Sequence, residues 1–348
     1  MRVSHFLSIL CLSAVAALPA SARAAPKYTV HIVGAAGSSA NGINSSGAVV
    51  GDFPTGGNTH GFVNAAGVTT DLGTLGGPDS YATAINDSGT IVGRADDAGG
   101  NTRAFIVVGG VMSDLGTLGG ANSRADGINN RGDIVGSADV PPGPDAHSSA
   151  FLLRPPALMQ DLGRFEVPNP EGGSHAYGIN EARKIVGGSV LGPYTPPESA
   201  FHAFLYVCEE MKDLGTLGGQ FSLAYAINEQ GKIVGEASTP TLHENRAFLY
   251  YRGELRSLGT LPGGSFSSAR AINDKGYIVG YAQAAVGEGG WQKAFLYRHG
   301  SMIDLNTLID PASGWSLREA NGINNSGQIA ATGCKAGVCH ALRLDPIP

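Results

Sequence analysis

The 348-residue sequence is poor in the features that identify most enzymes and nucleic-acid-binding proteins. Charged residues make up only 15% of it, and the net charge is −6, the wrong sign for a nucleic-acid-binding surface. It contains no Gly-x-Ser-x-Gly elbow, no phosphate loop, no His-Glu-x-x-His and no Cys-x-x-Cys. We therefore expect no nucleic-acid partner, no metal and no cofactor, and we find no recognisable catalytic motif.

Long apolar runs are also scarce, and the first 24 residues hold the only prominent one. Arg2 precedes an apolar core from Phe6 to Leu18, and Ala22-Arg23-Ala24 forms a small-x-small cleavage site, which together are typical of a secretory signal peptide. No later stretch approaches the length of a membrane span. We expect residues 1–24 to be a signal peptide and residues 25–348 to be one exported domain, periplasmic or extracellular and not membrane-spanning.

Cysteine is rare, with four residues in the chain. Cys334 and Cys339 flank Lys-Ala-Gly-Val between two strand-like segments, and in an oxidising compartment we expect them to form a disulfide. A metal site is disfavoured, because the neighbouring His340 would supply only one further ligand. Cys208 is left over and is interpreted as a small side chain near a turn.

Glycine is abundant, at 52 residues, and it accompanies a repeat. The pattern Ala-x-(Gly/Ala)-Ile-Asn recurs at intervals of 42 to 51 residues, the range typical of repeat architectures. The asparagines that end the pattern are Asn44, Asn86, Asn129, Asn180, Asn228, Asn273 and Asn324.

One repeat contains four short apolar segments, lettered a to d, bounded by Gly, Asn or Asp as strands are. In the fifth unit these are AYAI (224–227), KIVG (232–235), RAFLY (246–250) and LGTL (258–261). Strand b is a continuous apolar run, which indicates that both of its faces are covered. A four-stranded unit of this length fits a β-propeller blade better than a solenoid coil, whose repeats are usually shorter.

The two ends of the sequence complement each other. After Asn324 the chain supplies strands b and c and then stops at Pro348, whereas residues 28–34 form an orphan strand ahead of the first strand a. We predict an all-β fold: a seven-bladed β-propeller of four-stranded antiparallel blades, closed by the N-terminal strand pairing in the last blade. Closure of this kind removes exposed sheet edges.

The turn between strands a and b reads Asn-x-x-Gly in six units, where Asn holds the turn and Gly accepts a left-handed conformation. The fourth unit has Arg183 in place of this Gly. If the same turn is kept, the substitution costs about 1 kcal/mol.

The motifs Asp-Leu-Gly-Thr-Leu-Gly-Gly, Ala-Ile-Asn-x-x-Gly-x-Ile-Val-Gly and His202-Ala203-Phe204 resemble those of the bacterial extracellular HAF-repeat proteins. The resemblance covers nearly all of the chain after the leader, although the literal His-Ala-Phe triplet occurs once. It implies an exported repeat protein and carries no settled activity.

Variation between the repeats is concentrated at the start of strand a and in the b–c loops at 137–148, 188–198 and 281–292. Variable loops and positions on a rigid scaffold are where binding usually occurs. The first variable strand position holds Ser39, Tyr81, Arg124, His175, Leu223, Ser268 and Glu319. The second holds Asn41, Thr83, Asp126, Tyr177, Tyr225, Arg270 and Asn321.

In a closed ring these positions converge on the mouth of the central channel, and aromatic rings beside polar groups suit a glycan or a peptide. The plainer interpretation, which the sequence alone favours, is that these positions vary because they pack against nothing. The candidate ligand-binding residues are Tyr81, Arg124, Asp126, His175, Tyr177, Tyr225 and Arg270.

A further position, two residues before the Phe or Leu of strand c, is basic in most units. We expect a structural hydrogen bond from it, to a strand d Thr or to the Ser that precedes each strand a. The residues are His60, Arg103, Ser149, His202, Arg246, Lys293 and His340.

The sequence thus favours an exported, non-catalytic binding or surface-associated module with an unknown extracellular ligand. The alternative is an exported propeller lyase or hydrolase acting on a polysaccharide or a cell-wall-related substrate. Only the uneven cluster of Arg124, Asp126, His175 and Arg270 points to that alternative, since a fold alone does not define an activity.

Overall fold

The structure, a computed structural model, describes residues 27–143, 146–165, 172–191, 201–241, 244–285 and 292–348. Within these ranges the chain forms seven four-stranded antiparallel sheets and two short 3-10 helices, Leu305–Thr307 and Pro311–Ser313. The expected signal peptide and much of the loops at 188–198 and 281–292 lie outside the described residues. The seven-bladed propeller predicted from the repeat is confirmed.

Each sheet is one blade, in which the strands follow the order a, b, c, d from the channel outward. The inner strands a are β2 (Ser39–Ile43), β6 (Gly76–Ile85), β10 (Ser123–Ile128), β14 (Ser174–Ile179), β18 (Ser222–Ile227), β22 (Ser267–Ile272) and β26 (Ser316–Ile323). Strands b are β3 (Val49–Thr55), β7 (Ile91–Asp97), β11 (Ile134–Asp139), β15 (Ile185–Val190), β19 (Ile233–Ser238), β23 (Ile278–Gln283) and β27 (Ile329–Lys335).

Strands c are β4 (Asn58–Ala65), β8 (Thr102–Val108), β12 (Ser148–Leu153), β16 (Phe201–Val207), β20 (Asn245–Tyr251), β24 (Gln292–Arg298) and β28 (Val338–Pro346). The outer strands d are β5 (Val68–Asp71), β9 (Val111–Asp114), β13 (Gln160–Asp161), β17 (Glu210–Asp213), β21 (Glu254–Gly259), β25 (Ser301–Asp304) and β1 (Tyr28–Ile32). Blades 1 to 6 follow chain order, and blade 7 combines β26, β27 and β28 with β1.

The placement of strand d at Leu-Gly-Thr-Leu is wrong in most blades. The pairing ends at the preceding Asp, as at Asp71 and Asp213. The glycine that follows has a positive φ, 72° at Gly73 and 77° at Gly215, so the chain turns there toward the next blade. The leucines of this motif pack into the core instead, as Leu214 does.

The ring closes as predicted. β1 pairs antiparallel with β28, from Tyr28 opposite Pro346 to Ile32 opposite Leu342. The pairing continues beyond the strand, because Val33 N donates to Ala341 O at 3.0 Å. The expected disulfide joins Cys334 and Cys339 across the β27–β28 hairpin of the same blade.

The hydrophobic core lies between the blades. Val186 of blade 4, for example, belongs to the same buried cluster as Phe248 of blade 5. Burial of one such side chain stabilises the fold by about 1.5–3 kcal/mol, so each blade depends on its neighbours. The strand c phenylalanines, all fully buried, are Phe62, Phe105, Phe151, Phe204, Phe248 and Phe295.

The asparagine that ends each strand a forms a continuous ring of hydrogen bonds around the channel. Asn228 Oδ1 accepts from Lys232 N at 2.9 Å and holds its own a–b turn, while its Nδ2 donates to Asn273 O of the next blade at 3.1 Å. The inter-blade bond recurs in all seven blades and closes from Asn324 to Asn44 O at 3.0 Å. Its donors are Asn44, Asn86, Asn129, Asn180, Asn228, Asn273 and Asn324.

The fourth unit keeps this turn in spite of its substitution. Arg183 adopts φ 57°, a conformation that disfavours a residue with a Cβ. Its guanidinium reaches back to blade 3 and forms an ion pair with the buried Asp133, with Nε 2.8 Å from Oδ2. The inter-blade ion pair offsets the backbone cost.

The expected partners of the basic position before strand c are wrong. His60 Nδ1 lies 2.9 Å from Asp71 Oδ2, and His202 Nδ1 lies 2.9 Å from Asp213 Oδ2. In these two blades the partner is the aspartate that ends strand d, because the strand register places this aspartate opposite the residue two positions beyond the histidine.

The recurring serine before strand a links backbones rather than side chains. Ser222 Oγ accepts from Ala203 N of the preceding blade at 2.8 Å and donates to Gly215 O at 2.6 Å. It therefore connects two blades and the link between them.

The ring of asparagines predicts a specific loss of stability. Asn228→Ala should destabilise the fold by about 2 kcal/mol, because it leaves the part-buried N–H of Lys232 without a partner and removes the inter-blade bond to Asn273 O. The matched control is Asn58→Ala at the exposed tip of the β3–β4 hairpin, which should change the stability by less than about 0.5 kcal/mol. Denaturant unfolding measures both variants, and equal effects would contradict a structural role of the ring.

Candidate functional site

The second variable position of every strand a is a β-bulge. In each blade the a–b register shifts at this residue, as between Ala224 and Ala226 around Tyr225. A bulge leaves its residue unpaired and re-aims its side chain. The bulge residues are Asn41, Thr83, Asp126, Tyr177, Tyr225, Arg270 and Asn321.

The bulge explains the glycine of Ile-Val-Gly in strand b. Opposite the bulge of blade 5, a Cβ on Gly235 would collide with the carbonyl oxygen of Leu223. Blades 1 to 4 and 6 have the same close approach. Blade 7 carries Ala331 at this position, and its strand a has a second register shift, between Leu317 and Glu319.

All seven bulge residues line a central cavity of about 500 Å³, a volume in the range of small-molecule sites. On one side of the channel the bulge side chains form hydrogen bonds to the neighbouring blade. Asn321 Nδ2 donates to Ala40 O at 3.0 Å, Asn41 Nδ2 to Ala82 O at 2.9 Å, and Thr83 Oγ1 to Ala125 O at 2.7 Å. At these three positions the expectation that the residues pack against nothing is wrong, because each bonds the next blade.

The bulge residues of blades 3 to 6 make no such bond within the described part of the chain. Instead, those of blades 4 to 6, Tyr177, Tyr225 and Arg270, form a stack of two rings and a guanidinium. The rings of Tyr177 and Tyr225 have centroids 5.4 Å apart. The Arg270 guanidinium lies 4.2 Å above the Tyr225 ring, and its Nη2 donates to Tyr281 Oη at 2.8 Å. This half of the channel wall is therefore aromatic and cationic.

Two carboxylates next to the stack are poorly satisfied. Tyr225 Oη donates to Glu236 Oε1 at 2.8 Å, but the buried Oε2 of Glu236 has no hydrogen-bond partner among the described residues. Asp126 Oδ2 lies 3.3 Å from Arg124 Nε in an ion pair and is likewise without a hydrogen bond there. Burial raises the pKa of Asp126, although Arg124 opposes the shift.

A second cavity of about 430 Å³, which we call the upper pocket, lies at the entrance to strands a of blades 2 to 4. Its floor holds Tyr81, Arg124 and His175, which precede the bulge residues by two positions, and Arg94 of strand b. The Arg94 guanidinium lies 4.5 Å above the ring of Tyr81. Three aspartates, Asp79, Asp96 and Asp139, also line the upper pocket.

Arg124 lines the upper pocket and also contacts a channel residue, through its ion pair with Asp126. Its Nε lies 3.1 Å from Ser137 Oγ and its Nη2 lies 3.2 Å from His175 Nδ1. Because a guanidinium can only donate, Nδ1 of His175 accepts and Nε2 carries the proton. Burial, together with the Arg124 charge, lowers the pKa of His175 to about 4, so this imidazole is neutral at pH 7.

The seven residues expected at one site therefore divide between two adjacent cavities. Asp126, Tyr177, Tyr225 and Arg270 line the channel, and Tyr81, Arg124 and His175 line the upper pocket. Sequence reasoning missed the strand b residue that follows each Ile-Val-Gly or its equivalent, although it varies as freely as the others. These residues are Asp52, Arg94, Ser137, Gly188, Glu236, Tyr281 and Thr332.

Among the described residues no group of three or more His, Cys, Asp or Glu side chains could hold a metal ion. The same residues contain no helix long and apolar enough to span a bilayer.

Comparison of the sequence with family profiles gives a match to the family described as "Protein of unknown function (DUF3466)" over residues 219–340. This stretch holds blades 5 and 6 and the inner strands of blade 7. A comparison with curated proteins gives no significant match.

Solved structures share the fold at low sequence identity. The β-propeller domain of the Trilobed protease from Pyrococcus furiosus, described as having an open velcro topology, is 12% identical, with a TM-score of 0.55 over 89% of this chain and 93% of that one. An acylaminoacyl peptidase from Pyrococcus horikoshii is 12% identical, with a TM-score of 0.53 over 90% of this chain. The match covers 52% of the peptidase, so this chain spans about half of its length.

The lowered pKa of His175 predicts a pH-dependent stability. Between pH 6.5, its unfolded pKa, and about pH 4, the His175 imidazole is protonated in the unfolded state but stays neutral in the folded state, so a falling pH stabilises the unfolded state. The folded state should therefore lose about 3 kcal/mol of stability over this window on account of His175.

The variant His175→Gln keeps a polar side chain without this titration. The difference in unfolding free energy between wild type and variant, measured at several pH values from 7 to 4, should change by this amount in favour of the variant. A constant difference would show that His175 titrates normally.

Proposed function

We propose that the protein is an exported HAF-repeat propeller whose role is binding, and that its ligand is a glycan held in the central channel. The observation that carries the proposal is the division of the bulge ring. Three bulge side chains bond the next blade, while those of blades 3 to 6 present rings and charges to the cavity. Seven identical inter-blade hydrogen bonds would close the ring equally well. The four blades whose bulge residue makes no such bond therefore require another explanation, and a ligand supplies it.

The chemistry of the two walls suits a sugar. Tyr177 and Tyr225 offer aromatic faces to the apolar side of a pyranose ring. The opposite wall offers the amide oxygens of Asn41 and Asn321, whose Nδ2 atoms bond the neighbouring blades. Asp126 supplies a carboxylate oxygen without a hydrogen-bond partner in the described structure, and a hydroxyl donor near it would relieve the cost of its burial.

A peptide fits the same channel less well. Extended peptides usually bind by adding a strand to an exposed sheet edge. Here the strands a face one another around the channel, and several of their carbonyl groups already accept bonds from neighbouring blades, as those of Ala40 and Ala82 do. Recognition in the channel must therefore depend on side chains, which favours a ligand rich in hydroxyl groups.

Export to an oxidising compartment is supported by the leader-like residues 1–24 and by the Cys334–Cys339 disulfide. Such an environment also holds the surface polysaccharides that a glycan-binding module would meet.

A polysaccharide lyase or hydrolase remains the second candidate, and one observation favours it. The Asp126 carboxyl has a raised pKa and lies beside Arg124 and Tyr177, and a carboxyl of raised pKa can act as a general acid. An enzyme would release shorter or unsaturated products from a glycan that binds, and Asp126→Asn would abolish their release. A binding module leaves the glycan intact.

The proposal predicts that the two channel tyrosines contribute most of the affinity. Tyr177→Ala and Tyr225→Ala should each weaken binding of the best glycan on an array by about tenfold or more, because each removes a stacking surface. Tyr177→Phe keeps the ring and should bind nearly as well as wild type. The matched control is Tyr251→Ala at the end of β20, outside the channel.

Affinities are compared by calorimetric titration of the glycan selected on the array. Equal affinity of wild type and both alanine variants, or failure of wild type to bind any glycan, would remove the proposal.

A further inference from the structure

The upper pocket holds one arginine without an acidic partner. Arg94 is paired with Tyr81 across β6 and β7, and its guanidinium stacks on the tyrosine ring. Within the described ranges no carboxylate oxygen lies within ion-pair distance of it, although Arg103, Arg124 and Arg246 each have one. Stacking on the tyrosine ring holds the guanidinium of Arg94 in place and leaves the N–H groups along its edge to donate to a planar acceptor.

Arg124 supplies a second cationic group at the same floor. It is held from two sides, by Ser137 Oγ at 3.1 Å and His175 Nδ1 at 3.2 Å. Because His175 is neutral at pH 7, the positive charge of the pocket comes from Arg94 and Arg124 alone. A guanidinium binds a carboxylate through charge-assisted, frequently bidentate hydrogen bonds, and this pocket holds two of them.

The rim of the pocket supplies acceptors. Asp79 Oδ1 accepts from Thr59 N at 2.7 Å, and Asp96 Oδ1 accepts from Thr102 Oγ1 at 3.2 Å. Asp139 is held in the same way, through Oδ2, by Asn122. Each carboxylate is thus anchored through one oxygen, and the described structure assigns no hydrogen bond to the other.

We propose that the upper pocket is a subsite for an acidic sugar, a uronic acid unit of the glycan bound in the channel. Its carboxylate binds Arg94 and Arg124, and its hydroxyl groups donate to the aspartates of the rim. This inference rests on the proposed function and extends it, because the channel takes the adjoining sugar ring.

Other occupants satisfy only part of the pocket. A phosphate or sulfate ion would match the two arginines but would bring additional negative charge to three carboxylates without donating to them. A neutral sugar would donate to the carboxylates and leave the guanidinium of Arg94 without a counter-charge. A carboxylated sugar satisfies both groups at once.

The inference is tested with oligosaccharides of galacturonate, of mannuronate and guluronate, and of glucuronate, each beside its carboxyl-reduced counterpart. Calorimetric titration of the wild-type protein should show at least one acidic oligosaccharide binding about tenfold or more tightly than the reduced form. Arg94→Gln should remove this preference and leave the affinity for the reduced form within about twofold. Arg256→Gln on the outer strand β21, an exposed arginine far from the channel, is the matched control and should change neither affinity.

The outcomes separate the inference from the proposed function. If wild type binds acidic and reduced oligosaccharides equally, or if Arg94→Gln weakens both forms alike, the acidic subsite is wrong and the channel site stands. If wild type binds neither form of any oligosaccharide while other glycans on the array bind, the acidic subsite is also wrong. If no glycan binds at all, the proposed function and the subsite fall together.

Discussion

The fold depends on a single hydrogen bond repeated around an axis. Each strand a ends in an asparagine whose amide holds its own turn with one atom and the next blade with the other. Asparagine carries its acceptor and its donor on two separate atoms of one short side chain, and both bonds are at least partly buried, where an unpaired group is costly. The asparagines therefore fix the spacing of the blades, while the loops on the opposite face can vary in length.

The bulge in each strand a, three residues before this asparagine, makes one position of the strand independent of the a–b pairing. Because it interrupts the hydrogen-bond ladder between strands a and b, it leaves one residue per blade unpaired and turns its side chain toward the channel. Glycine in strand b accommodates the close approach. Each blade can then hold either a residue that bonds its neighbour, such as Asn41 or Thr83, or one that lines the channel cavity without such a bond, such as Tyr177 or Tyr225. Seven positions can change without altering the core.

Much of the fold could be predicted from the sequence, because each position of one repeat can be aligned with the equivalent position in the six others. Periodicity gave the blades, the closure and the seven variable positions. It could not give the bulge, which is a register shift between two strands, nor the end of strand d, where Gly73 and Gly215 turn the chain. It also missed Arg94 and Glu236, which follow Ile-Val-Gly and join the site only through pairing with strand a. The division into two cavities follows from these cross-strand contacts, which a one-dimensional pattern does not contain.

The pairing of β1 with β28 has a consequence for synthesis. Tyr28 pairs with Pro346, so β1 has no partner until the chain has been synthesised as far as β28. Contacts of such sequence separation are slow to form. Six blades can form in chain order while β1 remains unpaired. Formation of the seventh blade then determines whether the nascent chain closes into a monomeric ring or associates with another copy.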